Sequence, residues 1–245
     1  MTERGQRTAI VTGAAGAIGS ACAGRLAADG YRVFAVDVEP DRLERVLALP
    51  GELVPVVGDV SDPGGADAIV AAAGGRVDVL LNVAGVGDAL MGVEELDDER
   101  WLRVVSVNQT GAFLLTRRVV PLMLERGAGV VVNMSSAAGL RGGRAGFAYT
   151  ATKWALVGMA QNIAAGLGPK GIRAHAICPS AIQGAETLTR GGVSEAGRAR
   201  GRRDAGKPPA GVPDDVANTV AFLVSDQAKH LNGLAVPVDA GWLAY

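Results

Sequence analysis

The chain is poor in residues that staple small folds or hold metals: it has two cysteines and two histidines among 245 residues. Cys22 and Cys178 stand far apart, and neither belongs to a CxxC pair or a His-rich cluster. A disulfide framework and a zinc site are therefore excluded as organising devices. Two free, buried thiols in a reducing compartment and no metal are the expectation. No segment keeps about 18 uninterrupted apolar residues. The charged start MTERGQRTAIVTG runs into a core strand without the apolar stretch of a secretory leader. This reads as a cytoplasmic protein with no membrane partner. The formal net charge is −1, too close to zero for a protein that works on a nucleic-acid backbone or an anionic membrane. Electrostatics points to small-molecule work.

What is present is apolar content, 49% of the chain, enough for one large core. No composition break, repeat or low-complexity linker divides residues 1–245, so one domain is expected. Short β-branched runs recur as TAIVT, RVFAVD, ELVPVVGD, RVDVLLNVAG, GVVVNMSS, IRAHAIC and GLAVPVD, most of them separated by helical periodicity. The alternation predicts a parallel sheet. Because the strands are apolar on both faces, helices should cover both, giving a doubly wound α/β fold with ligands at the carboxyl ends of the strands. One long helix is expected from about Asp97 to Glu125 and another from about Phe147 to Leu167. Their remaining apolar surface invites a second subunit.

Between the first strand and the first helix lies TGAAGAIG, with Gly13, Gly16 and Gly19 spaced GxxGxxG instead of the GxGxxG of the usual dinucleotide fingerprint. Glycines let a backbone approach pyrophosphate while a helix start offers N–H groups and partial positive charge. A tight turn with no ligand is the alternative. Asp37 ends the second strand, where a carboxylate can accept from ribose hydroxyls and repel a 2′-phosphate. The next residue, Val38, supplies no cation, and the turn holds no Arg or Lys. NAD is favoured over NADP. A helix cap or exposed strand end is the bland reading of Asp37.

The strongest chemical constellation is Tyr149 and Lys153 in YTATK, with Ser136 after GVVVNM and Asn108 in VVSVNQTGAF. Positions i and i+4 share a helix face. A nearby ammonium favours phenolate and should lower a tyrosine pKa that ordinarily lies near 10, making Tyr149 a usable acid or base. Ser136 could donate to a substrate oxygen as charge builds there.

With TGAAGAIG, Asp37, Asp59-Val60, Asn82-Val83-Ala84-Gly85, Asn108, Ser136, Tyr149, Lys153, Cys178-Pro179 and GLAVPVDAGW, the chain resembles the short-chain dehydrogenase/reductase family over practically its whole length. The resemblance implies a seven-stranded Rossmann-type sheet, a nicotinamide dinucleotide, reversible oxidation of a secondary alcohol to a ketone, and a homotetramer. It implies that Tyr149 is the acid/base and that Lys153 lowers its pKa and holds the nicotinamide ribose. Ser136, thirteen residues before the tyrosine, would orient the substrate in preference to Ser135, and Asn108 would anchor a water behind Lys153. Gly13, Gly16, Ala17, Ile18 and Gly19 would face the pyrophosphate. Asp59 and Val60 would border adenine, Asn82, Ala84 and Gly85 would line the cleft, and Pro179 and Ile182 would lie by the nicotinamide. A turn role for Asp59 and a strand-stabilising role for Asn82 stand beside these.

The chain also departs from the family pattern. Ala17 stands where TGxxxGxG has its middle glycine, and Ser180 and Gly184 stand where PGxxxT has Gly and Thr; Gln183 or Thr187 could replace the lost hydrogen bond. Ala240 replaces a glycine in VDGG, read as a packing variation. His175 reads as a hydrogen-bonded strand residue and His230 as a surface or interface one. Residues 183–211 break the periodicity and read as a lid. Arg190, Arg198, Arg200, Arg202, Arg203 and Lys207 there oppose Glu186, Glu195 and Asp204. Arg141 and Arg144 in a neighbouring loop should rim the pocket, which keeps an anionic substrate open beside the plainer reading of a solvated face. The competing functions are a 3-oxoacyl thioester reductase and a non-catalytic dinucleotide-binding protein.

Overall fold

A computed structural model describes residues 5–185, 192–201 and 208–244. The chain alternates strand and helix: β1 (Thr8–Thr12), α1 (Ala17–Ala28), β2 (Arg32–Asp37), α2 (Pro40–Leu47), β3 (Glu52–Val57), α3 (Pro63–Ala72) and β4 (Val79–Asn82) form the first half. The second half is α4 (Asp98–Val105), α5 (Gly111–Arg126), β5 (Gly129–Met134), α6 (Phe147–Leu167), β6 (Ile172–Pro179), α7 (Glu195–Gly201), α8 (Pro213–Val224) and β7 (Ala235–Val238). The strands form one parallel sheet in the order β3-β2-β1-β4-β5-β6-β7. This is the Rossmann-type doubly wound sheet that alternating apolar strands and helices imply.

Burial on both faces explains the unbroken apolar strands. On β1, Ala9 and Val11 pack with Leu26 of α1, Leu43 of α2 and Val220 of α8. Ile10 between them packs on the other face with Ile69 of α3, Leu115 of α5 and Ala160 of α6. Prolines in strands fall at the two edges, Pro55 in β3 and Pro237 in β7, or at a strand end, Pro179, where a missing N–H disrupts the ladder least. Arg173 on β6 closes the far end of α8 by donating to the carbonyls of Leu223, Val224 and Ser225.

Two expectations change. The helix predicted from Asp97 to Glu125 is not uniform: a π turn, Ser106–Thr110, separates α4 from α5. Asn108 lies in that turn, and its side chain bonds the backbone of Val86, a contact the regular helical period does not anticipate. In the segment read as an aperiodic lid, Glu195–Gly201 is helical. Residues 186–191 and 202–207, with Arg190, Arg202, Arg203, Lys207, Glu186, Asp204 and Thr187, lie outside the described residues. Among the described residues no helix is long and apolar enough to cross a membrane.

Candidate active site

TGAAGAIG is shaped first by its own backbone. Gly13 sits at φ 64°, and a Cβ there would come 2.8 Å from Ala84 Cα; a Cβ at Gly19 would lie 2.1 Å from the Gly13 carbonyl oxygen. These two glycines are demanded by close approach whether or not a ligand binds. α1 then starts behind Gly16 with no side-chain cap and no acidic residue in its first turn. An uncapped helix start at the carboxyl end of β1 leaves donors and partial positive charge for an anion. Ala17, in place of the family glycine, has its methyl beside Gly184, where a Cβ would lie 3.3 Å away; Gly184 itself stands at φ 72°. The two departures thus meet in space, the smaller residue at 184 facing the larger one at 17.

Asp37 lies half-buried beside this turn. Its Oδ2 accepts from Ala15 N at 3.0 Å, and Oδ1 accepts from Val38 N at 2.8 Å and Glu39 N at 3.2 Å. The turn is not free of cations in space: Arg42 of α2 donates to the Ala15 carbonyl at 3.1 Å and pairs with Glu39 at 3.3 Å. That corrects the sequence expectation, because α2 folds a residue five positions beyond Asp37 back onto the glycine turn. Asp59 closes its own turn, accepting from Ser61 N at 2.8 Å and Ser61 Oγ at 2.6 Å. The Ser61 hydroxyl holds its carboxyl below the usual aspartate range. Val60 is buried against Gly111, where a Cβ would meet its side chain at 2.7 Å.

The end of β4 is held from both sides. Thr12 Oγ1 accepts from Val83 N and Ala84 N at 3.0 and 3.1 Å. Asn82 Nδ2 donates to Asn133 Oδ1 at 3.0 Å, and Asn133 in turn donates to the Leu156 carbonyl of α6. Asn108 accepts from Val86 N at 2.8 Å and donates to Val86 O at 3.0 Å and Thr152 Oγ1 at 3.2 Å. A Cβ on Gly85 would stand 3.3 Å from Asn108 Oδ1 and 3.6 Å from Lys153 Nζ, so the backbone of this strand end lies close to the lysine.

α6 spans Phe147–Leu167 and brings Tyr149 and Lys153 onto one face. The Lys153 Nζ lies 5.1 Å from the Tyr149 ring centroid and donates to the Met134 carbonyl at 2.7 Å. The Ser136 side chain is the polar group on the Tyr149 phenol that opposes its desolvation, and its hydroxyl accepts from Ala138 N at 3.2 Å. Ser135 is occupied elsewhere, donating to the Lys153 carbonyl at 2.7 Å. The geometry therefore separates the two serines. The expected lowering of the Tyr149 pKa is absent: burial raises it, the Ser136 side chain opposes the rise, and the negative charge of Asp88 adds to it. Lys153 is itself lowered to about 8 by burial, so a desolvated ammonium replaces the strong positive field assumed from spacing alone.

Beyond these residues, a cavity of about 280 Å³ opens at the ends of β6 and β7, lined by Ser180, Ile182, Gly211, Asp239 and Ala240 among others. Pro179 is buried just before it and its carbonyl receives the Ser136 hydroxyl at 3.5 Å. Gln183 is pinned through its backbone to Gly211 at 2.9 Å. Ala240 is more than a packing variation: it sits at φ 51°, in the left-handed region that favours glycine. Arg144 stacks 4.0 Å over the ring of buried Trp242, while Arg141 is exposed. His175 is fully buried, 3.4 Å from Arg173, and burial pushes its pKa down to about 4. His230 is exposed. Cys22 and Cys178 are free and buried, and among the described residues no three His, Cys, Asp or Glu gather as for a metal.

Four contributors were not visible as such in the sequence: Thr12, Arg42, Asp88 and Trp242. Thr12 had a signal, standing at the strand end against the glycine turn. Asp88 and Arg42 had none, because their importance comes from which backbone they reach.

The residues present fit a nicotinamide dinucleotide. The uncapped α1 start, the Asp37 carboxylate and the close backbone at Gly85 before Lys153 follow one another along the carboxyl edge of the sheet. Similarity to known proteins agrees. The family model described as short chain dehydrogenase matches residues 7–191. The 3β-hydroxysteroid dehydrogenase 2 of Eggerthella lenta is 37% identical, covering 98% of this chain and 95% of its own. A structure of a 3-ketoacyl-(acyl-carrier-protein) reductase from Brucella melitensis complexed with NADH superimposes with a TM-score of 0.85 at 31% identity, covering 96% of this chain and 98% of that one. A Beutenbergia cavernae protein assigned as an NAD(P)-dependent gluconate 5-dehydrogenase, with NADP bound at low occupancy, gives 0.86 at 33% identity and covers 98% and 97%. Sheet order, glycine turn and this breadth of similarity converge: the chain belongs to the short-chain dehydrogenase/reductase family.

Proposed function

We propose that this oxidoreductase uses NAD to interconvert a secondary alcohol and a ketone within a single domain, with Tyr149 as the general acid/base. The observation that carries the reading is the buried Tyr149 ring 5.1 Å from the Lys153 Nζ, with the lysine held on the Met134 carbonyl, beside an uncapped helix start. When bound, the dinucleotide supplies the hydride acceptor or donor. Gly13, Gly16, Ala17, Ile18 and Gly19 hold its pyrophosphate, Asp37 its adenosine ribose, and Asp59 and Val60 its adenine. Asn82, Ala84 and Gly85 line the cleft; Lys153, Pro179 and Ile182 serve the nicotinamide end.

Burial keeps Tyr149 protonated, the form that donates to a ketone oxygen, while Ser136 donates a second hydrogen bond to the same oxygen. In oxidation Tyr149 takes the hydroxyl proton, so that direction gains with rising pH. Asn108, its amide held on Val86 and Thr152, is the residue assigned to anchor a water behind Lys153.

Asp37 supports NAD, while Arg42 beside Ala15 offers a 2′-phosphate one cation. Titration of NADH and NADPH fluorescence decides, and a preference for NADPH overturns the Asp37 argument. For substrate, a panel opens with 3β-hydroxysteroids, the class in the relative's name, and includes 3-oxoacyl thioesters, which similarity to the Brucella reductase keeps as a second reading. Turnover of thioesters alone favours that reading; dinucleotide binding with no turnover across the panel favours a non-catalytic protein. The exposed Leu102, Phe113, Phe147 and Trp154 on α4, α5 and α6 support a homotetramer, checked by light scattering. The free buried thiols support a cytoplasmic setting.

A further inference from the structure

We propose that Asp88 is a positioning residue for Tyr149: from a loop outside α6, its carboxylate caps the first turn of that helix and sets both the place of the phenol and the charge it faces. The proposal rests on the reading of Tyr149 as the acid/base. α6 begins behind Gly146 with no side-chain cap and no acidic residue in its first turn. Its first N–H groups are taken instead by residues 88–91. Phe147 N donates to the Met91 carbonyl at 2.8 Å, and Tyr149 N donates to Asp88 Oδ2 at 2.9 Å.

The fit is close. Asp88 is fully buried, and a Cβ on Gly146 would lie 2.2 Å from its Oδ1, so the helix start is moulded around the carboxylate. The next two residues, Ala89 and Leu90, hold φ values of 56° and 58°, conformations that non-glycine residues adopt only when the surroundings enforce them. The enforcement is visible. Leu90 N donates to Asp88 Oδ1 at 3.2 Å, Met91 N to the Asp88 carbonyl at 3.0 Å, and Ser194 N, ahead of α7, to the Ala89 carbonyl at 2.9 Å.

Burial pushes the Asp88 carboxyl up, and the N–H groups of Tyr149, Asp88 itself, Leu90 and Ala148 oppose that. Around Tyr149 the polar groups are Ser136 after β5, Lys153 on its own helix and Asp88 on the β4–α4 connection; Cys178 on β6 acts on Lys153. Asp88 is the negative charge that acts on the phenol in this set. It disfavours phenolate, and the cap keeps it at fixed range.

The test separates cap from charge. Asn at 88 keeps an acceptor and loses the charge; Ala loses both. With a 3β-hydroxysteroid, or the panel member that turns over, and NAD, Asp88→Ala should lower kcat about tenfold or more while dinucleotide affinity holds. Asp88→Asn should restore most of that rate yet move the pH midpoint for oxidation down by about half a unit or more. Amide exchange at Ala148 and Tyr149, which needs no substrate, should quicken in the Ala variant and stay near wild type in the Asn variant. An unmoved midpoint, unchanged exchange in the Ala variant, or an Asn variant that does not fold overturns the proposal. Tyr149→Phe run alongside distinguishes the failures: if it keeps full turnover, the acid/base reading has failed and not the cap, which the exchange data judge alone.

Discussion

α1 and α6 start at the same carboxyl edge of the sheet, each behind a glycine without a capping side chain, Gly16 and Gly146. They end in opposite states. The carboxylate beside the glycine turn, Asp37, bonds Ala15 ahead of the helix, and the first turn of α1 stays uncapped. The first turn of α6 is filled by the buried carboxylate of Asp88. A helix start is an anion site by virtue of its unpaired N–H groups and dipole. The difference shows that the fold, by supplying or withholding one anion, decides whether such a start is left open or anchors a side chain.

The sharpest break of this comparison is at the anchored end. Tyr149→Phe should cut turnover roughly 10²–10⁴-fold and leave NADH fluorescence titrations within about a factor of three, since the pyrophosphate and adenosine are assigned to the α1 turn and Asp37, and Lys153 is kept. Next, Ala17→Asp gives α1 an anion of its own, making it resemble α6. Dinucleotide affinity should fall about tenfold or more while thermal stability holds or rises by a few tenths of a kcal/mol; affinity unchanged by calorimetry would deny that the pyrophosphate sits there.

The reverse change, Asp88→Ala, empties the α6 start. Denaturant unfolding should show a loss of about 1–2 kcal/mol, the size of a lost cap with its buried donors. The smallest effect serves as a control at the same edge with no cap involved. Ala240→Gly relieves a left-handed alanine and should add about 1 kcal/mol of stability, with kinetics little changed. A loss of stability there would mean that the methyl packs better than its backbone is strained.

The doubly wound sheet was legible because each strand carries its burial on both faces and each long helix its period; α6 begins and ends where FAYTATKWALVGMAQNIAAGL predicts. Tyr149 and Lys153 were legible because i and i+4 meet by helix geometry alone. The π turn at Asn108 was not, since it is set by a bond to Val86, 22 residues away. The sign of the Tyr149 shift differs from the expectation for a related reason: spacing reports the lysine nearby but not the burial of both groups, which raises the tyrosine and lowers the lysine.

Local periodicity and backbone close approach are properties of short stretches, so the sequence by itself determined the element order, the glycine turn and the tyrosine–lysine pair. Which anion caps which helix, that Arg42 returns to Ala15, and that Gly184 faces Ala17 involve residues from 27 to 167 positions apart. Only the tertiary structure could decide them, because no local preference records which side chain the packed sheet will deliver to a given N–H.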